Sequence, residues 1–238
     1  MNFKSLLAAA LLFHLVTSFS QDRHQHTPPN KDLSNKILLE NKGQWPEGVL
    51  FRSNMNGGKV WVQQHKLIYH LQDYSSMQKT HAMKNPDFTS EEIKETLVHL
   101  NFLGSNKVYS IDKKGQSNEY YNFFKGKDPT KWASEVHGYQ EVTLQEFYDK
   151  MDLRYIGGGD EMKYEFIVKP GGITSQIKLE YAGQKKLTID SKGNLIISTE
   201  LGQVIEHKPY AYQLVNGKKI EVPCNFVLNE SQVTFKLG

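Results

Sequence analysis

The chain has 238 residues, 38% of them hydrophobic, 11% aromatic and 23% charged, with a formal net charge of +3. That apolar content suffices for a packed core and excludes a compositionally disordered polymer, while so small and dispersed a charge gives no basis for a nucleic-acid partner. A single cysteine, Cys224, excludes an intramolecular disulfide.

Residues 1–20 read as a secretory signal peptide. Lys4 precedes an apolar run over 6–16, and Thr17, Ser18, Phe19 and Ser20 put small residues where a signal peptidase reads, so cleavage is expected before Gln21. The run falls short of the roughly 20 apolar residues that span a bilayer. The mature chain of 218 residues (238 less 20) is therefore expected to be exported, to the periplasm, outer surface or medium, with no transmembrane segment. Residues 21–36 are polar, carry Pro28 and Pro29, and are expected to be a flexible lead-in. His24 and His26 lie there without further ligands to close a metal site.

From residue 37 onward the apolar positions alternate. Strands are expected at 37–40, 49–53, 59–64 and 67–72, with turns at 41–44 and 56–58. On the fourth, Leu67, Tyr69 and Leu71 share a face; His65 and His70, five apart, point to opposite sides and are expected to be solvated. Residues 74–87 read as a loop, Thr89 to Glu92 as a capping box, and 96–102 as a strand. Strands at 107–112 and 119–124 are expected on either side of a turn at Lys113, Lys114 and Gly115. Asp128 and Pro129 predict a short helical turn that presents Trp132 to the sheet.

The second half is the most regular. Tyr164, Phe166 and Val168 share one face; so do Ile177, Leu179 and Tyr181, then Tyr210, Tyr212 and Leu214. A run Ile220, Val222, Cys224, Phe226, Leu228 follows, and finally Val233, Phe235 and Leu237. Asn216-Gly217 predicts a type I′ hairpin. Turn signals roughly every 8–12 residues leave no room for crossover helices. The fold class is therefore all-β: antiparallel, sandwich-like, built from hairpins with one or two short helical turns. The expected organisation is a first β subdomain at 37–124, a connector at 125–135 and a second β subdomain at 136–238.

Several segments together resemble a family. They are Glu40-Asn41-Lys42-Gly43-Gln44-Trp45, the stretch from Gly126 to Trp132, residues 148–155, the stretch from Lys163 to Gly171, and Pro209-Tyr210-Ala211-Tyr212-Gln213. They look like the N-terminal β domain, of unknown function, of large secreted or cell-surface proteins of gliding, type IX-secreting bacteria. The resemblance implies that SBBP-like β-propeller repeats, adhesive modules and a sorting domain usually follow, so this chain is expected to be a fragment or a truncated product. Asp149-Lys150-Met151-Asp152 departs from the family, where Pro-Gly is usual.

No sequence motif of a hydrolase, metalloprotease or phosphate-binding loop is present. The glycines and carboxylates at 157–161 read as a wide turn rather than a Ca²⁺ loop, and Asp149, Asp152, Asp160, Glu161 and Glu165 as a charged rim. The chain is therefore expected to be a non-enzymatic module without cofactor or metal, with a structural or adhesive role. Its expected partners are other domains of a larger surface protein, or an extracellular protein or glycan. The alternative is a carbohydrate-binding module using Trp61, Trp132 and Trp45, with Tyr120 and Tyr121 in reserve. Trp61 faces opposite Val60 and Val62 and so should lie outside the core. Trp132 has two readings, a sugar platform or a plug at the end of the β core. A hydrolase is the third and weakest hypothesis.

Overall fold

The computed structural model describes residues 15–20, 37–73, 93–158 and 161–238, the first of these in backbone alone. The lead-in, the loop at 74–87, the capping box and the tip of the turn at 159–160 lie outside the described residues. In chain order the strands are β1 Leu15–Ser20, β2 Leu38–Glu40, β3 Val49–Met55, β4 Gly58–Gln63, β5 Lys66–Asp73, β6 Lys94–Phe102 and β7 Ile111–Phe123. Then come β8 Ala133–Tyr148, β9 Met151–Gly158, β10 Glu161–Val168, β11 Leu179–Ala182, β12 Lys186–Ile189, β13 Leu195–Ser198 and β14 Gln203–Glu206. The last are β15 Ala211–Val215, β16 Lys218–Val222, β17 Cys224–Asn229 and β18 Gln232–Leu237. The fold is all-β, and the helical content of the described residues is two 3-10 turns, Pro129–Lys131 and Thr174–Gln176.

Sixteen strands form one antiparallel sheet in the order β12-β13-β14-β1-β10-β9-β8-β2-β3-β4-β5-β6-β11-β18-β17, with β7 added on β8. Hairpins supply most neighbours, as short loops dictate. The long strand β8 pairs through Gly138 and Tyr139 with β2 and through Glu141 to Leu144 with β9, passing the ladder from one half of the chain to the other. Its pairing with β9 shifts register between Leu144 and Tyr148, where Glu146 takes φ +50°, and such a bulge increases local twist. The sheet curls until its end strands β12 and β17 touch.

Curling brings the inward faces together. Phe102 of β6 meets Phe147 of β8 edge-on at 5.2 Å, and Tyr164 and Phe166 of β10 at 6.1 and 6.0 Å. The expected alternation holds: Leu67, Tyr69 and Leu71 are buried, as are Tyr164, Phe166 and Val168. Cys224 is buried too, and burial pushes its thiol up to about 12, which makes it an inert core group. The Asn216-Gly217 turn has φ of +51° and +75°, the two positive angles of a type I′ hairpin.

Four expectations give way. The strands at 107–112 and 119–124 are instead one strand, β7, that begins at Ile111 and runs through the supposed turn. Gly115 spends its positive φ (+63°) inside that strand, with Lys114 and Gln116 still in register opposite Glu141 and Tyr139. The run from Ile220 to Leu228 splits at Pro223, which has no N–H for a ladder, so β16 pairs with β15 and β17 with β18. As a result β15 and β16 form a separate two-stranded sheet, and Tyr210, Leu214 and Ile220 are exposed rather than buried. Glu165, expected to face water between Tyr164 and Phe166, is 1% exposed and held by Arg154 Nε at 2.9 Å, with Arg154 Nη2 closer still. His70 is not solvated either; its surroundings are part of the site.

Candidate functional site

The inward side chains of β4 to β6 fix what their outward neighbours must do. Val60, Val62, Leu67, Tyr69, Leu71 and Val98 are buried, so the alternating residues form the outer face. Register aligns them in rows: Arg52 opposite Trp61, Trp61 opposite Ile68, His70 opposite Leu97, and Gln72 opposite Glu95. A tryptophan, two aliphatic side chains and several polar ends thus share one surface.

Trp45 joins them from the loop between β2 and β3, and Asn41 is what shapes that loop. Its Oδ1 accepts from Gly43 N at 3.0 Å and Trp45 N at 3.2 Å, while its Nδ2 donates to Val49 O at 2.9 Å. Gln44 Nε2 donates back to Glu40 O at 2.8 Å. Such side-chain to backbone bonds are why asparagine leads turns of this kind. Lys42 Nζ reaches Glu135 O at 3.0 Å, tying the loop to the start of β8.

The rings then interlock. Trp45 stands edge-on to Trp61 and to Phe123, both at 5.6 Å, and the Arg52 guanidinium lies 4.8 Å over the Trp45 ring. Trp61 lies nearly parallel to His70 at 6.5 Å, and its Nε1–H donates to His70 Nδ1 at 3.4 Å. His70 Nε2 meets Glu95 Oε2 at 3.1 Å. Both contacts are met by one neutral tautomer, with the proton on Nε2 and the lone pair on Nδ1. Glu95 is held below the usual carboxylate range, first by the Gln72 amide and then by His70. Beside these groups opens a recess of about 230 Å³, with Pro46, Val49, Trp61, Ile68 and Leu97 as its apolar wall and Gln63, His70 and Glu95 at its polar edge. An indole among aliphatic and hydrogen-bonding groups can stack on a flat or ring-shaped ligand and orient it.

Of the three tryptophans the sequence singled out, the fold brings Trp45 and Trp61 together and leaves Trp132 elsewhere. The turn forms as expected: Asp128 Oδ1 accepts from Thr130 N at 3.0 Å. Trp132, however, is 42% exposed, packs on Phe124 at 5.8 Å and donates to Gly126 O at 3.3 Å. It does not plug the core, because the next residue, Ala133, takes the buried position that opens β8 and alternation sends its neighbour out. Tyr120 is exposed against His137, apart from the recess.

Two other features compete as sites. A broader cleft of about 560 Å³ includes His65, Lys66 and Ser105 in its lining, and His65 Nδ1 lies 2.9 Å from Ser105 Oγ. Ser105 Oγ also donates to Phe102 O at 3.0 Å, and with its proton on that carbonyl the imidazole is the donor to the hydroxyl, the reverse of what activates a nucleophile. Of the charged rim, Asp152 pairs with Lys169 at 2.8 Å and Glu165 with Arg154, two different cations, which Glu146 and Glu141 respectively share; Asp160 and the Glu161 side chain lie outside the described residues. Among the described residues no group of three or more His, Cys, Asp or Glu could hold a metal ion.

Inside the curl lies a group the sequence did not announce. Glu206 is wholly buried and accepts from Tyr69 Oη at 2.9 Å and Tyr164 Oη at 3.0 Å, with Tyr181 close by but outside hydrogen-bonding geometry. Burial raises its pKa, opposed by the tyrosine hydroxyls, and burial first and then the carboxyl hold Tyr69 and Tyr164 well above the ordinary phenol range. Its place on the same face as buried Val204 was the available signal. For the recess, the signal was the parity of Arg52, Ile68, His70, Glu95 and Leu97 with Trp61 across their ladders.

A curled antiparallel sheet that carries a pre-formed aromatic recess on its outer face defines an all-β module with one candidate contact surface. The chain belongs to the family of the domain of unknown function DUF7948, whose model matches residues 38–238. No curated protein and no solved structure matches it. No helix among the described residues is long and apolar enough to cross a membrane.

Proposed function

We propose that this chain is a non-enzymatic module of an exported cell-surface or secreted protein, with a structural and adhesive role, and that the recess beside Trp61 is its contact site. The observation that carries the reading is the recess itself: an indole and aliphatic side chains with a polar edge, mounted outside the core on hydrogen-bonded strands. Sites on strands hold their geometry better than sites on loops. The leader-like pattern of residues 1–20 supports export. The likeness of the segments ending in Trp45 and Trp132 to surface proteins of gliding, type IX-secreting bacteria supports the setting. Partners would be neighbouring domains of a larger protein, or an extracellular protein or glycan. The separate pairing of Asp152 and Glu165, and the direction of the Ser105 hydrogen bond, favour binding over hydrolysis.

One observation favours a second, narrower reading as a carbohydrate-binding module. A volume of about 230 Å³ is below the ~300–1,000 Å³ of drug-sized sites and suits one ring, and His70 and Glu95 stand where ring hydroxyls would need partners. A glycan array read with the wild-type protein and with Trp61→Ala separates the readings. Carbohydrate binding predicts a glycan hit that weakens at least ~10-fold in the variant. No hit on any glycan removes this second reading, and adhesion to surfaces or glycans that is indifferent to Trp61 contradicts the recess as the contact site.

A further inference from the structure

Strand β1 is the one ladder, among the described residues, that links β12, β13 and β14 to the rest of the sheet. Leu15 and Val16 register with Tyr164 and Lys163 of β10, while Thr17, Ser18, Phe19 and Ser20 register with Glu206, Ile205, Val204 and Gln203 of β14. Tyr164, Val204 and Glu206 are all buried, so the strand crosses directly over the carboxylate–tyrosine cluster. Yet Leu15–Ser20 is the end of the segment that the export reading removes. Cleavage before Gln21 would leave β10 and β14 each with an edge of unpaired N–H and C=O groups above a buried core, an arrangement that native sheets avoid or fill.

The next stretch of the chain is a poor replacement. From Gln21 to Thr27 it reads Gln-Asp-Arg-His-Gln-His-Thr, which would set charged residues in register with buried ones, and Pro28 and Pro29 lack the N–H a ladder needs. The occupant in place instead sets Leu15 and Phe19 in register with buried Tyr164 and Val204, and Thr17, a hydroxyl residue, with Glu206.

We propose that the position between β10 and β14 is a strand-acceptor slot, which in the processed protein takes an extended segment of a partner polypeptide, about six residues long and apolar opposite Tyr164 and Val204. Main-chain hydrogen bonds to both edges give the affinity, and the alternate side chains give the selectivity. This rests on the export reading, and the test separates the two.

Protein exported from cells expressing the full chain is purified, its N-terminal residue is found by mass spectrometry, and hydrogen exchange is followed at those amides of Lys163, Tyr164 and Gln203 to Glu206 that point into the slot rather than toward β9 or β13. A synthetic peptide with the sequence of Leu15–Ser20 and a lysine tag is the probe, against a scrambled peptide. The slot predicts a chain starting at Gln21, slot amides exchanging ~100-fold or more faster than those of the β9–β10 ladder, and protection restored by the peptide but not the scramble. Slot amides already protected in a cleaved monomer, or peptide and scramble acting alike, overturn the slot and leave export standing. A cleaved dimer with protected amides also overturns it, since a second copy would then be the occupant. A chain that keeps Leu15–Ser20 overturns the cleavage reading and the slot together.

Discussion

Two aromatic clusters sit on opposite faces of the same sheet with nearly the same ring geometry. Inside, Phe102 meets Phe147 edge-on at 5.2 Å and 88°; outside, Trp45 meets Trp61 at 5.6 Å and 86°. What differs is the covering. The inner rings are enclosed by β8 and β10, whereas the outer pair is only half-buried and is capped by one guanidinium, Arg52. Edge-on packing alone therefore does not tell a core from a contact surface. The layer above the rings does, and the outer cluster has water and a recess where the inner one has a second face of the sheet.

The comparison can be broken from either side. Phe102→Ala should have the largest effect, about 3–5 kcal/mol of unfolding free energy in urea, because three aromatic neighbours cannot collapse into the space. Arg154→Ala should cost about 3 kcal/mol by the same measurement, since it leaves the Glu165 carboxylate buried without its cation. Glu206 gives a pH signature rather than a single loss. Its native pKa is raised, so the folded state holds that proton more tightly than the unfolded chain does. Its contribution is fully present below the ordinary carboxylate value of about 4.3 and is lost as pH rises through the raised native value. Urea midpoints measured upward from about pH 4 should therefore fall more steeply for the wild type than for Glu206→Gln. At the small end, Ile220→Ser on the stand-off hairpin should shift stability by no more than about 0.5 kcal/mol, because Ile220 is 51% exposed. A loss of about 2 kcal/mol there would mean that the Ile220 face of the hairpin is covered by something.

Alternation was enough to read the strands and the inward residues of β5, where one face is buried and the other is not, and it placed Tyr164, Phe166 and Val168 of β10 inside while missing that Glu165 between them is buried too. It misread β7, where Gly115 looks like a turn former yet sits within a ladder. It also misread the hairpin β15–β16, whose base is covered at Ala211 and Tyr212 but whose Leu214 and Ile220, in the same pattern as buried strands, are exposed. Trp61 could be placed outside the core from Val60 and Val62 alone. Its partners could not, since Arg52, His70 and Glu95 come together only through the registers of three ladders. Glu206 and the tyrosines around it, separated by 42 and 137 residues in sequence, become neighbours only once the sheet curls.

The most direct measurement is the unfolding free energy of Trp61→Ala set beside that of Phe102→Ala. If the outer cluster is a contact surface and the inner one the support of the fold, the tryptophan variant should stay folded and lose less than half of what the phenylalanine variant loses. Equal losses, or a greater loss at Trp61, would show that the outer rings hold the sheet together and would contradict the division on which the proposed site depends.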